Sequence, residues 1–304
     1  MMKLSQVQWQ KTAVFLQTNA RPLEQTLFAY HFGSGAQEAV FAALAAFQNA
    51  DGGFGHGLEP DVQMAGSSVL ATTVAFQILR SFQVDKTQPL VQSGIAYLEN
   101  LYSAVQQSWP FVPESVGNAP RAPWWQYDAD YTHYWHNPRP EVVGYLLDWG
   151  NSDLGEQVLT AVLHTAAATE TVEFHALFCY LRLLKTAALP AAARQTLQPL
   201  VQKWAVQLVE TNPAQWAGYG LRPLAVAPTP DDFLADHFST AIEQELTYLA
   251  QTRQVDGAWH PAWSWGEAYP DVWLQAAAAW KGVITLHNLL TLRAYGRLAD
   301  DIGQ

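Results

Sequence analysis

Two groups of acidic residues stand close to aromatic side chains, in a pattern suited to acid–base chemistry. His56, Glu59 and Asp61 lie in residues 49–66, and Glu267 and Asp271 lie in residues 251–279. Carboxylates that face each other across an aromatic cleft are the usual means of general acid–base catalysis on glycans. Trp124, Trp125, Trp259, Trp263 and Trp265 are the candidate platforms for a substrate, with His133, Asp61, Glu267 and Asp271 as further binding groups. A simpler use for the acids stays open, because a negative charge near a helix N-terminus is favoured by roughly 0.3–1 kcal/mol. Asp61 and Asp271 suit that use, whereas His56 and Glu59 are harder to explain as caps. His56 and Glu59 are therefore taken as candidate catalytic residues, together with Asp128 and Asp130 of the Asp128-Ala129-Asp130 stretch.

The metal-ligating types are sparse. His133 and His136 have the spacing of a ligand pair, but no third ligand follows from the spacing. His175 and Cys179 are four residues apart on one helix face, and cysteine is among the most commonly buried residues. With a single cysteine there is no internal disulfide and no four-cysteine zinc site. No cofactor is expected, zinc included. The chain has 16 Lys plus Arg against 27 Asp plus Glu, a net charge of −11. That balance argues against nucleic acid and against anionic lipid as partners. The longest strongly apolar stretch, Ala39 to Phe47, falls far short of the ~20 residues needed to span a bilayer. Met1 to Gln10 contains no apolar run, so no signal peptide and a cytoplasmic location are expected.

Helices must position these residues, because strand signals are nearly absent and 49% of the chain is hydrophobic. One class of helix is amphipathic: residues 87–103, 151–166, 190–209 and 231–250 each align their apolar residues on one face. The other class, 67–82, 138–149, 170–186 and 280–296, is apolar nearly all round and must be enclosed. The two classes alternate, as an outer shell and an inner shell would. Weaker candidates at 5–18, 21–32, 35–48 and 213–225 complete twelve helices, and the expected fold is a single-domain all-α, α/α toroid of six hairpins. A bundle or an open superhelix is the alternative. Three long connections, 49–66, 104–137 and 251–279, all run from an outer helix to an inner one. They hold eight of the 13 tryptophans, so one mouth of the barrel is expected to bind ligand.

The first and third connections echo each other. Asp51-Gly52-Gly53-Phe54-Gly55 leads through Pro60-Asp61 into an enclosed helix, and Asp256-Gly257-Ala258-Trp259 leads through Pro270-Asp271 into another. Glycine supplies a positive φ, Asp folds back on the local backbone, and the aromatic plugs the space between helices. This pattern, with Ser67-Ser68-Val69-Leu70-Ala71-Thr72-Thr73 after it, resembles the Gln-Trp type repeat of terpenoid cyclases and protein prenyltransferase β subunits. Those families share the α/α toroid. The chain is more similar still to a bacterial group of prenyltransferase-like proteins of unassigned activity, through Gly52 to Asp61, Pro123-Trp124-Trp125, Asn137-Pro138 and Trp280 to Thr285.

The resemblance implies an apolar ligand of the isoprenoid kind, held in a pocket of tryptophans and carboxylates. In class II terpenoid cyclases an Asp-x-Asp-Asp motif protonates the substrate. Such an acid must be neutral in a dry cavity, and a neighbouring carboxylate helps to set its protonation state. Here Tyr131 replaces the last Asp, so a turn with solvated carboxylates is the other reading of Asp128 and Asp130. The zinc-binding Asp, Cys and His of the prenyltransferases have no full counterpart. Diphosphate would need cations, and the long connections supply only Arg121 and Arg253. A carbohydrate-active lyase or hydrolase on the same architecture, or a non-catalytic binding module, are the alternative functions.

Overall fold

The structure, a computed structural model, describes residues 2–299. In chain order its α-helices are α1 (Gln6–Asn19), α2 (Pro22–Phe32), α3 (Gln37–Ala45), α4 (Val69–Ser81), α5 (Pro89–Leu101), α6 (Arg139–Trp149), α7 (Ser152–Ala167), α8 (Phe174–Leu184), α9 (Ala191–Leu208), α10 (Pro223–Val226), α11 (Ser239–Thr252) and α12 (Pro270–Ala294). The protein is all-α. Among the described residues the only β-type pairing is in isolated bridges. The chain divides into two units, one from Phe47 to Leu208 and the other combining the segment up to Ala46 with that from Val209 onward.

In the Phe47–Leu208 unit, α6 packs against both α4 and α8, and α5, α7 and α9 cover these three from outside. The split follows the two kinds of helix in the sequence. The first eight residues of α6, Arg139 to Leu146, are all buried, so this helix has no wet face. On α5 the buried residues are Leu90, Val91, Gly94, Ile95, Tyr97 and Leu98, a single stripe at helical spacing. Each fully buried Leu or Val contributes about 1.5–3 kcal/mol relative to exposure. Gly144 lets α6 approach the chain after α8, because a Cβ there would strike Thr186 Oγ1.

In the other unit, α1 packs on α2 and α12, α2 also meets α3 and α12, and α10 packs on α11. The helix expected over 213–225 is not formed. A 3₁₀ turn (Pro213–Gln215) and the four-residue α10 stand in its place. Gly218 and Gly220 weaken any helix between them, and Pro223 is compatible only with a helix start. The helix expected over 231–250 begins only at Ser239, after a run of turns. The last helix begins ten residues earlier than expected, at Pro270. Its first half, through the alanines 276–279, has high helix propensity but little apolar periodicity to reveal it.

The echoed turns are the same structure twice. Gly52 (φ +88) and Gly257 (φ +94) take the left-handed conformation, and their N–H groups donate to Asn49 O (2.9 Å) and Gln254 O (3.0 Å). Asp51 Oδ1 accepts from Gly53 N at 3.0 Å, and Asp256 Oδ1 from Ala258 N at 3.1 Å. The aromatic that follows is buried, and its backbone N–H donates to a threonine hydroxyl on the helix after it, α4 or α12: Phe54 to Thr72 (3.1 Å) and Trp259 to Thr285 (3.0 Å). The indole N–H of Trp259 reaches back to Leu249 O on α11 (3.1 Å), and Trp109 does the same to Leu98 O on α5 (2.7 Å). Each plug thus ties a loop to the helix before it.

Candidate functional site

A concave site lies in the Phe47–Leu208 unit, where residues 102–138 fold over the start of α8. This long loop is anchored by a small core of its own: Val62, Met64, Leu70, Phe111, Val112, Val116 and Tyr134 are buried together, with Trp125, Tyr127 and Tyr131 packed on them. Backbone bonds join it to the first long loop and to α4. Ala122 N donates to Asp61 O (2.8 Å), Gln63 N to Pro120 O (3.0 Å) and Leu70 N to Phe111 O (2.9 Å). Arg121 braces the tip, donating from Nε to Trp125 O (2.7 Å) and from a terminal nitrogen to Gln126 Oε1 (2.7 Å).

The cavity that results has a volume of about 430 Å³, within the range of small-molecule sites. Phe111, Trp124, Trp125 and Tyr134 supply aromatic walls; Gln126, His133, His136, Asn137 and Glu173 supply polar groups; Thr171, Val172 and Ala176 complete the lining. Trp124 is half exposed, so a flat ring stands at the mouth.

Each polar group is held by partners. Asp128 pairs with His133 Nδ1 at the rim, and both side chains are solvent-accessible. The Asp130 backbone N–H and then the His133 ring hold the Asp128 carboxyl below its usual range. The Thr132 hydroxyl and then the Thr132 N–H do the same for Asp130, which caps the 3₁₀ turn Tyr131–Tyr134. Both acids are therefore carboxylates at neutral pH. An imidazole oriented at Nδ1 by a carboxylate and open at Nε2 is the arrangement of a general base.

His136 is set differently. The Thr169 hydroxyl donates to Thr165 O (2.8 Å), so its oxygen accepts from His136 Nε2 (3.3 Å). That leaves Nδ1 to accept from the Tyr180 hydroxyl at 2.8 Å. Burial, then the Arg139 charge, lower the His136 pKa, so the ring is a neutral wall. The two histidines that suggested a metal pair thus serve separate partners. Among the described residues no group of three His, Cys, Asp or Glu is gathered to hold a metal ion.

Glu173 caps α8, accepting from His175 N (2.9 Å) and Ala176 N (3.4 Å), with His175 Nδ1 at 2.5 Å. Burial works against its charge, but these bonds outweigh it and keep the carboxyl below its ordinary value. Behind Asn137, the Cys179 thiol lies 3.2 Å from Asn137 Oδ1 and 3.7 Å from Glu141 Oε2. Burial, then the Glu141 charge, push the thiol well above its usual pKa, so Cys179 is an inert core group. Glu141 is only 1% exposed and fully engaged, by Gln77 (2.9 Å), the Tyr145 hydroxyl (2.6 Å) and Arg182 (2.9 Å).

Of the residues singled out in the sequence, Trp124, Trp125 and His133 line this cavity and Asp128 stands against it. His56 is exposed, in the left-handed region at φ +54, with its ring bonded to Asn49 Oδ1 at 2.9 Å. Glu59 and Asp61 are buried outside the cavity lining. Trp259, Trp263, Trp265, Glu267 and Asp271 belong to the other unit. There Trp259 and Trp265 are buried, Trp263 stacks edge-on against Trp280 (5.1 Å), and Asp271 lies in the first turn of α12. Sequence reasoning missed Tyr134, His136, Asn137 and Glu173 as lining residues. The available sign was Glu173 as a capping acid directly before an enclosed helix.

No protein-family model matches the chain, and no curated protein is similar to it in sequence.

Proposed function

We propose that this protein takes a small, apolar-bodied ligand of the isoprenoid kind into the cavity under the 102–138 loop, on an α/α toroid of the terpenoid cyclase and prenyltransferase type. The observation that carries the reading is the cavity itself, which combines four aromatic walls with a few fixed polar groups. The toroid is supported by the α4–α6–α8 layer under α5, α7 and α9, and by the duplicated Asp-Gly-x-aromatic turn. Lysine and arginine are missing from the lining, which speaks for a ligand without a diphosphate.

In this reading Trp124 and Trp125 bind the ligand body, and the Asp128–His133 pair is the acid–base group at its edge. Because Asp128 and Asp130 are ionised, the pair acts by accepting a proton at His133 Nε2, and protonation of an alkene by either Asp is disfavoured. The test is a thermal-shift and tryptophan-fluorescence titration with farnesol, farnesyl diphosphate and an oligosaccharide. Farnesol is expected to bind, with binding lost in Trp124→Ala. Saturable binding of the oligosaccharide alone, or farnesol binding unaffected by Trp124→Ala, would overturn the reading.

A further inference from the structure

The cavity's lining carries fixed charge of only one sign. Aromatic rings carry negative faces, and an ionised Glu173 lines the same cavity as four of them. A second carboxylate, Asp128, stands directly behind His133. The cations nearby are turned elsewhere. Arg121 is committed to Trp125 O and Gln126, with its remaining terminal nitrogen on Gly117 O (3.3 Å) and Ala119 O (3.1 Å). Arg139 is 1% exposed and donates to Trp135 O (3.2 Å), Gln107 O (3.4 Å) and Thr165 Oγ1 (2.7 Å), with its guanidinium 5.2 Å from the Trp135 ring.

The Glu173 side chain is 59% accessible and its one ring partner is His175 Nδ1 at 2.5 Å, so the carboxylate is reached from solvent and favours a cation over an anion at this edge of the cavity. A cationic centre gains from this carboxylate and from the aromatic rings of the lining. A carboxylate has about four acceptor positions, and the contacts with His175 and Ala176 account for three of them. The same contacts fix its position.

We propose that the ligand of this cavity carries a quaternary or protonated amine, seated against Phe111, Trp124 and Trp125 with Glu173 as its counter-ion. The proposal rests on the cavity being the ligand site and adds the charge of what enters it.

The test compares choline with 3,3-dimethylbutan-1-ol, its uncharged carbon isostere, and with 3,3-dimethylbutanoate, an anion of similar bulk. Affinities are read by tryptophan fluorescence and by calorimetry on the whole protein. Choline is expected to bind at least tenfold more tightly than the alcohol, and the anion more weakly than either. Glu173→Gln keeps a capping oxygen and is expected to remove most of the choline preference. Trp124→Ala, at a half-exposed position, is expected to weaken all binding without unfolding the protein. Equal binding of choline and the alcohol, or a choline preference unchanged in Glu173→Gln, would overturn the cation. In either case, loss of binding in Trp124→Ala would leave the cavity standing as a ligand site. Absence of saturable binding by all three probes would overturn the amine proposal, and the farnesol titration would then judge the cavity separately.

Discussion

Glu245 offers a direct test of the electrostatics that hold the broken 213–225 region in place. Its side chain is 2% exposed, with Oε1 3.2 Å from Arg222 Nε and Oε2 accepting from Leu224 N at 2.7 Å, in the first turn of α10. Burial is the dominant influence and pushes the carboxyl up to about 7 from an ordinary 4.5, with Arg222 and then the Leu224 N–H pulling the other way. A carboxyl whose folded pKa is raised contributes its full stability below the unfolded pKa and loses it as pH rises through the folded one. A rise of about 2.5 units at 1.36 kcal/mol per unit is ~3 kcal/mol, most of it lost between about pH 5 and pH 7. Glu245→Gln keeps an acceptor for Leu224 N but does not titrate. Denaturant unfolding of both proteins across this range isolates the term, because every other titrating group cancels in the difference. Relative to the Gln variant, the native protein should lose about 3 kcal/mol from pH 4 to pH 8. A flat difference, or one that grows in favour of the native protein, would refute the burial argument.

Four further outcomes follow from contacts elsewhere in the protein. Gly52→Ala and Gly257→Ala place a Cβ at positive φ against the Ser93 and Lys11 carbonyls, and each should destabilise by more than ~1 kcal/mol in denaturant unfolding. Gly117→Ala, which meets open space, should stay within about 0.5 kcal/mol. Glu141→Ala leaves Arg182 without its partner and should cost about 3–5 kcal/mol, seen as a lowered unfolding midpoint. Diethyl pyrocarbonate followed by peptide mass mapping should label His133, open at Nε2, well before His136, whose two nitrogens are both engaged. Equal labelling rates would show the assigned tautomer and pairing to be wrong.

Much of the helical framework was legible because burial writes itself into periodicity. The stripe Leu90, Val91, Ile95, Leu98 marked α5, and the apolar run Leu177 to Leu184 marked α8, each to within a few residues of the observed ends. The Asp-Gly turns were legible for another reason, since only glycine takes the required φ at no cost. Where periodicity was weak the reading slipped, as in the alanine-rich start of α12 and the glycine-broken segment before α10. The candidate site was harder. Trp124, Trp125, His133 and Asp128 stood out by type, but Asn137, just before α6, and Glu173, at the start of α8, line the same cavity from segments 36 residues apart. Nothing local records that meeting. Glu173 reads in sequence as one more acid before a helix, and only the fold gives it a second duty.

Tryptophan shows how one residue type can serve both structure and binding within this chain. Trp109, Trp204, Trp216 and Trp259 are buried, and each donates its indole N–H to a backbone carbonyl: Leu98, Glu170, Glu210 and Leu249. In each case the ring fills space and the nitrogen is spent, so the residue is fully accounted for by packing and one hydrogen bond. Trp125 departs from that rule. Its ring packs 5.0 Å from Phe111 at the cavity wall, yet its buried Nε1 has no acceptor among the described residues. Trp124 beside it is half exposed, where a large ring gains little from the core. Both belong to a loop that has its own small core beneath it. A loop held by its own core, with these two aromatics at a 430 Å³ cavity, is the feature on which the proposed ligand binding rests.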